Sequence, residues 1–403
     1  MFGASHLSLA EDVVQDALIK ALQQWPFRGI PENPAAWLTL VARNRALDLL
    51  RRDASLTDKV TELERVLNAP LSKRPQTTVT PSQCEVDDQL ALILMCCHPA
   101  LSDEWQIALT LKSVCGFSTA EIARAFLSQE TTIAQRLVRA KRRLREKKIA
   151  FDLPEGAEFA DRLVAVTRVI YLLFNEGYGA TRGDNLVRPE LCEEAIRLGT
   201  LLVAHERGRV PEVHALLALM MLQGARLPAR TLRDGTIALL ADQDRTLWDQ
   251  RLIASGFRHL GLSAEGRKVT AYHLQAEIAA IHATAATDVV TDWAQVVTLY
   301  DQLYELEPTP IVALNRAVAL SRWQGPQAAI RTLEELAKVR ALRSYHLLPA
   351  VLGELWKQVG DFNRAARAYR KALKCDCTAP ERRFLESQLQ MVATEHKRLP
   401  AAP

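Results

Sequence analysis

The chain has 403 residues, 48% of them hydrophobic and 24% charged, enough apolar material for two or three packed domains and too much for wholesale disorder. No run reaches the eighteen uncharged apolar residues of a membrane span and no signal-peptide pattern opens the sequence, so a cytoplasmic protein without a membrane partner is expected. The net charge is only +4, from 51 basic and 47 acidic residues, yet eight basic residues and one acidic residue crowd between Arg136 and Lys148. Such a local concentration, rather than the total, suits phosphates.

Helical spacing dominates, and no stretch alternates apolar and polar residues for long. From Ala10 to Trp25, the residues Val13, Val14, Ala17, Leu18, Ala21 and Leu22 share one helix face, before Pro26 and Gly29-Ile30-Pro31 interrupt. A second helix is expected from about Pro34 to Arg52, with Trp37, Leu38, Val41, Leu47 and Leu50 on its apolar side. Residues 53–86 are polar, hold Pro70, Pro75 and Pro81, and are Thr-rich at 77–80. A connection of that length and composition is expected to be a flexible interdomain linker.

Two helices follow, about Asp87–Cys96 and about Ser102–Val114. Ser118-Thr119-Ala120-Glu121 has the capping-box pattern and predicts a short helix from Ser118 to near Leu127. Ser128 is then placed to cap a longer helix to about Ile149, with Ile133, Leu137, Ala140 and Leu144 as its inner stripe. Pro154 and Gly156 close this unit. Further helices are expected over 160–175, 190–206, 211–223 and 246–256, whereas Arg230–Asp244 suits either short strands or a loop.

The last third repeats itself. At 346–379, Leu352, Gly353, Trp356, Gly360, Phe362, Ala365, Tyr369 and Ala372 fall at the spacings of a 34-residue tetratricopeptide-like unit. Weaker units align Ala317, Ala329, Leu333 and Leu336 at about 310–345, and Trp293, Val296, Tyr300, Leu303 and Pro308 at about 277–309. Small residues at such positions let paired antiparallel helices approach closely, and grooves between stacked pairs commonly hold a protein or peptide partner.

The short helix, tight turn and longer basic helix form a helix-turn-helix pattern, which lays its second helix in the major groove of DNA. Thr131, Thr132, Gln135, Arg136 and Arg139 occupy its outward positions, and Lys141, Arg142, Arg143 and Arg145 continue along it as phosphate contacts. The bland alternative is a solvated basic helix on a bundle surface. Within Trp37–Arg52, one aromatic with Arg43, Asn44, Arg45, Arg51 and Arg52 suits single-stranded or melted DNA. A Trp at this spacing equally serves a core, and Trp37 is expected to be at least partly buried.

Seven cysteines are scattered. Cys96-Cys97-His98 and Cys375-x-Cys377 lack a second ligand pair at finger spacing, so buried reduced thiols and no metal or other cofactor are expected. Glu176, His205, His214 and Asp242 are dispersed over the C-terminal helices without a catalytic motif, and no enzyme is expected.

Three phrases resemble the sigma-70 family, in its order. LAEDVVQDALIKAL from Leu9 is similar to a helix of region two, WLTLVARNRALDLLRR from Trp37 to its adjoining segment, and GFSTAEIARAFLSQETTIAQRLVRAKRRLR from Gly116 to region four. LILMCCHPALS at 92–102 and DGTIALLADQDRTLWD at 234–249 resemble the extracytoplasmic-function subgroup with a tetratricopeptide-like C-terminal extension.

That resemblance implies an all-α protein: region two at 1–52, a linker at 53–86, region four at 87–152, a helical extension at 153–276 and repeats at 277–403. It implies a sigma factor that binds core RNA polymerase through Asp12, Gln15 and Asp16, although an acidic solvent face would look the same. Trp37, Arg43, Asn44, Arg45, Asp48, Arg51 and Arg52 would meet the minus-ten promoter element, and Thr131, Thr132, Gln135, Arg136, Arg139, Lys141, Arg142 and Arg143 the minus-thirty-five element. Two departures stand out. Relatives usually carry another helix ahead of the Leu9 phrase, without which the Ala10–Trp25 helix would expose apolar surface. Many also have a basic residue where this chain has Ala134. A helix-turn-helix regulator with a ligand- or partner-sensing domain remains the alternative; it would have no need of the Leu9–Arg52 segment.

Overall fold

A computed structural model describes residues 7–52, 81–126, 128–180, 183–232 and 234–398. Among these the regular structure is helical, apart from one isolated antiparallel bridge between Thr231 and Ile237. The segment that suited strands or a loop is thus that bridge followed by single 3₁₀ turns at Leu240–Asp242 and Arg245–Leu247. Of the expected linker, residues 53–80 lie outside the described residues. The chain divides into two compact units, Met1–Arg124 with Ser128–Val169, and Ala125–Leu127 with Ile170–Pro403.

In the first unit, α1 (Leu7–Arg28) packs along α2 (Pro34–Arg52). The break between them follows from local chemistry. Gly29 takes a φ of +81°, Asn33 Oδ1 accepts from the Ala36 amide at 3.0 Å, and Pro34 opens α2 where no amide is needed. Helix α1 buries Val13, Ala17 and Ala21 but leaves Val14, Leu18 and Leu22 exposed. The six-residue apolar face expected from the spacing is therefore split lengthwise, one half packed and one half open.

Helix α3 (Pro81–Cys96) begins at a proline, six residues before the expected Asp87. With α4 (Asp103–Ser113), α5 (Thr119–Ala125) and α6 (Glu130–Glu146) it encloses a core that includes Leu90, Leu94, Leu109, Ile122, Ile133 and Leu144. Cys96 and Cys97 are fully buried in it. Burial pushes the Cys97 thiol up to about 12 and Cys96 well above its ordinary value, which is poor chemistry for a metal-binding thiolate.

Helix α7 (Gly156–Tyr178) continues into the second unit, which holds α8 (Pro189–Ala204), α9 (Pro211–Gly224), α10 (Gln250–Ser263) and α11 (Ala271–Thr284). Helix α9 is apolar all round and every residue from Val213 to Leu222 is buried, so it is the central rod against which α8, α10 and α11 pack. Helix α10 starts at Gln250 rather than near 246, because Asp249 accepts the amides of Arg251 and Leu252 and fixes the first turn there.

The chain then runs through α12 (Trp293–Leu306), α13 (Pro310–Gln324), α14 (Pro326–Leu336), α15 (Leu347–Gln358), α16 (Phe362–Ala372) and α17 (Ala379–Arg398), each packed on the next. Between α15 and α16 the approach is so close that a Cβ on Gly353 would sit 2.9 Å from the ring of Tyr369, itself fully buried. The glycine that the repeat spacing singled out is there for this contact.

Candidate nucleic-acid interface

The helix-turn-helix is built by two reciprocal bonds at its start. The Glu121 amide donates to Ser118 Oγ at 3.1 Å, and the Ser118 amide donates to Glu121 Oε2 at 2.7 Å, the capping box that the sequence predicts. These bonds hold the exposed Glu121 carboxyl below its ordinary range, so the motif stays intact at neutral pH. Helix α5 ends at Ala125, and the Ser128 amide bonds back to the Ala123 carbonyl at 2.9 Å.

Helix α6 is capped at Gln129, without a side-chain bond, rather than by Ser128. It stops at Glu146 instead of Ile149, where Lys148 enters the left-handed region at φ +51°.

Helix α6 has the two faces its sequence predicts. Ile133, Leu137, Ala140 and Leu144 are buried. Thr131, Gln135, Arg139, Arg142 and Arg143 are exposed, with Thr132, Arg136 and Lys141 at the margins and Ala134 and Val138 outward as well. Arg139 and Arg143 carry no ion pair among the described residues. Arg142 makes a loose 3.5 Å pair with Glu146, and Arg136 pairs at 2.8 Å with the mostly exposed Glu104 of α4. Exposed pairs of this kind contribute about 0–1 kcal/mol and yield readily to a phosphate.

Lys141 is held more firmly. Its Nζ meets Glu11 Oε2 of α1, while Glu11 Oε1 accepts from Ser113 Oγ of α4 at 2.9 Å. Lys141 and Glu11 side chains are only 15% and 25% exposed. This link joins the expected polymerase-facing helix to the expected duplex-reading helix across 130 positions. No local pattern signals it, and the sequence reading missed it.

On α1 and α2 the expected residues fall into three groups. Asp12, Gln15, Asn44 and Asp48 are exposed. Asp16 and Arg45, assigned to different surfaces by the resemblance, pair with each other at 2.8 Å while both stay partly exposed. Trp37 is half-buried as expected and packs edge-on against Trp25, with centroids 5.5 Å apart, and Arg43 on the same helix is half-buried too. The side chains of Arg51 and Arg52 lie outside the described residues.

Three of the dispersed acids and histidines of the C-terminal helices make local side-chain contacts. Buried Arg188 pairs with Glu176 at 2.5 Å, His205 Nδ1 accepts the Arg207 amide at 3.1 Å, and His214 shares a 2.8 Å Nδ1–Nδ1 hydrogen bond with His259. Asp242 is exposed.

Comparison with known proteins agrees with this layout. The model of Sigma-70 region 2 matches residues 4–55, and that of Sigma-70, region 4, matches residues 91–144. Residues 162–264 match a Family of unknown function (DUF6596). An uncharacterized protein of Rhizobium meliloti (strain 1021) is 39% identical over 402 residues, covering 97% of this chain and 91% of its own length. Two regions in the order of a transcription initiation factor, one of them carrying an outward cationic helix, define the class. The chain belongs to the sigma-70 family of sigma factors, with a C-terminal helical domain appended to the two regions. Its two sigma regions are those of promoter-specific transcription initiation, which involves core RNA polymerase and promoter DNA. Among the described residues no helix is long and apolar enough to cross a membrane.

Proposed function

We propose that this protein is a cytoplasmic sigma factor of the extracytoplasmic-function type, with residues 1–52 acting as region two, 53–86 as linker and 87–152 as region four. Thr131, Thr132, Gln135 and Arg136 read base edges of the minus-thirty-five element near the start of α6, and Arg139, Lys141, Arg142 and Arg143 hold phosphates. Asn44, Arg45, Asp48, Arg51 and Arg52, with Arg43 and Trp37, serve the minus-ten element, where melted strands need cations and one stacking surface. The observation that carries the reading is the outward cationic face of α6 over its buried stripe.

Core polymerase docks on α1. Asp12 and Gln15 are exposed beside Val14, Leu18 and Leu22, and a mixed acidic and apolar face suits a macromolecular partner better than water alone. The test is co-elution of the full chain with core polymerase in gel filtration. A stoichiometric complex is expected for the wild type, weakened at least tenfold in Leu18→Arg. A wild type that elutes alone would instead favour a regulator that works without polymerase.

The C-terminal helices, residues 153–276 with tetratricopeptide-like repeats over 277–403, regulate this module through a protein or peptide partner. A cleft of about 470 Å³ lined by Lys357, Phe362, Gln390, Met391 and Val392 offers such a partner an apolar floor with a charged rim. Met391→Asp is expected to alter promoter output in cells while leaving polymerase co-elution unchanged; unaltered output counts against the regulatory role.

A further inference from the structure

The phrase DGTIALLADQDRTLWD, which the DNA-facing regions leave without a role, folds in the second unit as two 3₁₀ turns beside the ends of α9 and α11. There it gathers an unusual set of donors. The guanidinium groups of Arg226 and Arg245 lie over the ring of Trp248, 5.5 and 4.6 Å from its centroid. Arg245 Nη1 donates to the carbonyls of His282 and Ala285, both at 2.6 Å, and so closes the end of α11.

Its other nitrogen, Nη2, is buried without a partner, and so are Trp248 Nε1 and His282 Nδ1. Three of the buried side-chain polar atoms without a hydrogen bond among the described residues thus belong to Arg245, to the Trp248 ring that its guanidinium covers, and to His282, whose carbonyl it bonds. Trp248 and His282 are only 4% and 8% exposed, so an unmet hydrogen bond here is costly.

Two of the three orphans, the guanidinium and the indole nitrogen, can only donate. What they lack is an acceptor, and the described residues do not provide one. Among the described residues neither Arg226 nor Arg245 forms an ion pair with a carboxylate within 4 Å. Asp288, whose charge acts on Arg245, is already engaged by Arg322 at 3.4 Å. Arg226 Nε reaches only the amide oxygen of Gln243, at 3.3 Å.

Two cations sharing an aromatic ring repel unless something negative completes them. Burial, helped by the neighbouring Arg226 and Arg245, holds His282 down to about 4, so its ring is neutral and can offer Nδ1–H to an acceptor. A buried water satisfies orphans too, but it would neutralise neither arginine.

We propose that Arg226, Arg245, Trp248 and His282 form a binding site for the oxyanion group, phosphate or carboxylate, of a small ligand. The anion accepts from Arg245 Nη2, Trp248 Nε1 and His282 Nδ1 while Arg226 supplies the second positive charge, an arrangement of charge-assisted bonds. Because it ties the 3₁₀ turns to the end of α11, its occupancy stabilises the second unit. The site is independent of the sigma reading, and its test needs neither DNA nor polymerase.

The experiment is thermal unfolding of the full chain while inorganic phosphate, malonate or chloride is titrated at constant ionic strength. A saturable rise of about 2–5 °C in the midpoint with phosphate or malonate, absent with chloride, is expected. Which of the two saturates names the source of the oxyanion. In Trp248→Phe, which keeps the ring and removes the donor, and in Arg226→Gln at the half-exposed rim, the half-saturating concentration should rise at least tenfold. Arg251→Gln, an exposed position on α10, should match the wild type. If Trp248→Phe does not fold, Arg226→Gln decides alone. Equal response to all three salts, as a buried water would give, overturns the site; so does a phosphate response that Arg226→Gln leaves unchanged.

Discussion

Replacing Glu11 by Gln should make the free protein bind duplex DNA more tightly, although Glu11 lies on α1, outside the helix-turn-helix. In the structure Lys141 is engaged by Glu11, which Ser113 holds in place by a 2.9 Å bond. To reach a phosphate, Lys141 must first leave this mostly buried partner. A partly buried ion pair with one supporting hydrogen bond opposes that departure by about 1–2 kcal/mol. Gln keeps the size and the bond to Ser113 but removes the charge, so affinity should rise about 5- to 30-fold.

Phosphate contacts do not depend on sequence, so anisotropy of a labelled duplex of arbitrary sequence at about 0.1 M salt is a sufficient assay. Asp12→Asn is the control. It changes net charge equally at an exposed neighbouring position with no bond to α6, and general electrostatics alone should give it at most a twofold effect. Equal affinities for Glu11→Gln and Asp12→Asn would refute the idea that the pair restrains Lys141.

Arg139→Ala, which removes an exposed cation of α6 with no ion pair among the described residues, should lower the slope of log affinity against log salt by about 0.9 with little change in the unfolding midpoint. Ser118→Ala removes one arm of the capping box and should cost about 1 kcal/mol in denaturant unfolding. Gly353→Val places a side chain where Tyr369 leaves 2.9 Å, and should cost about 2 kcal/mol or more in the second unit. Burial holds His259 and His282 near 4, below the ordinary histidine value of about 6.5. In acid the unfolded chain therefore takes up protons that the folded chain refuses. Stability should fall as pH drops from 6.5 through 4, by about 1–3 kcal/mol per histidine, and be indifferent above 6.5. Thermal melts of the wild type and His259→Asn in phosphate-free buffer measure this, the variant showing the shallower decline.

The parts legible in the sequence are those set by spacing within a single helix. Ile133, Leu137, Ala140 and Leu144 sit one or two turns apart, and a stripe like that has one way to be buried. Ser118 and Glu121 are three residues apart and bond as the capping pattern requires. Helix α1 shows where spacing stops: Val13, Ala17 and Ala21 are equivalent by periodicity to Val14, Leu18 and Leu22, but only what packs alongside decides which line is covered.

Links between distant positions were illegible for the same reason. Glu11 and Lys141 are ordinary surface residues in their own helices, and become partners only when α1 meets α4 and α6. Trp248 and His282 likewise acquire their unpaired atoms from packing, which no local pattern records. Ser128 misled because its neighbour Gln129 is the residue that takes the extended conformation ahead of α6, which then starts without a side-chain cap.

Transcription of fragmented genomic DNA by core RNA polymerase, with and without the full chain, followed by mapping of RNA 5′ ends, tests the assignment most directly. New start sites sharing a common upstream sequence are expected with the protein, and their loss is expected when Arg139 and Arg142 are both changed to Ala. The same 5′ ends with and without the protein would contradict a sigma factor that directs polymerase through the outward face of α6.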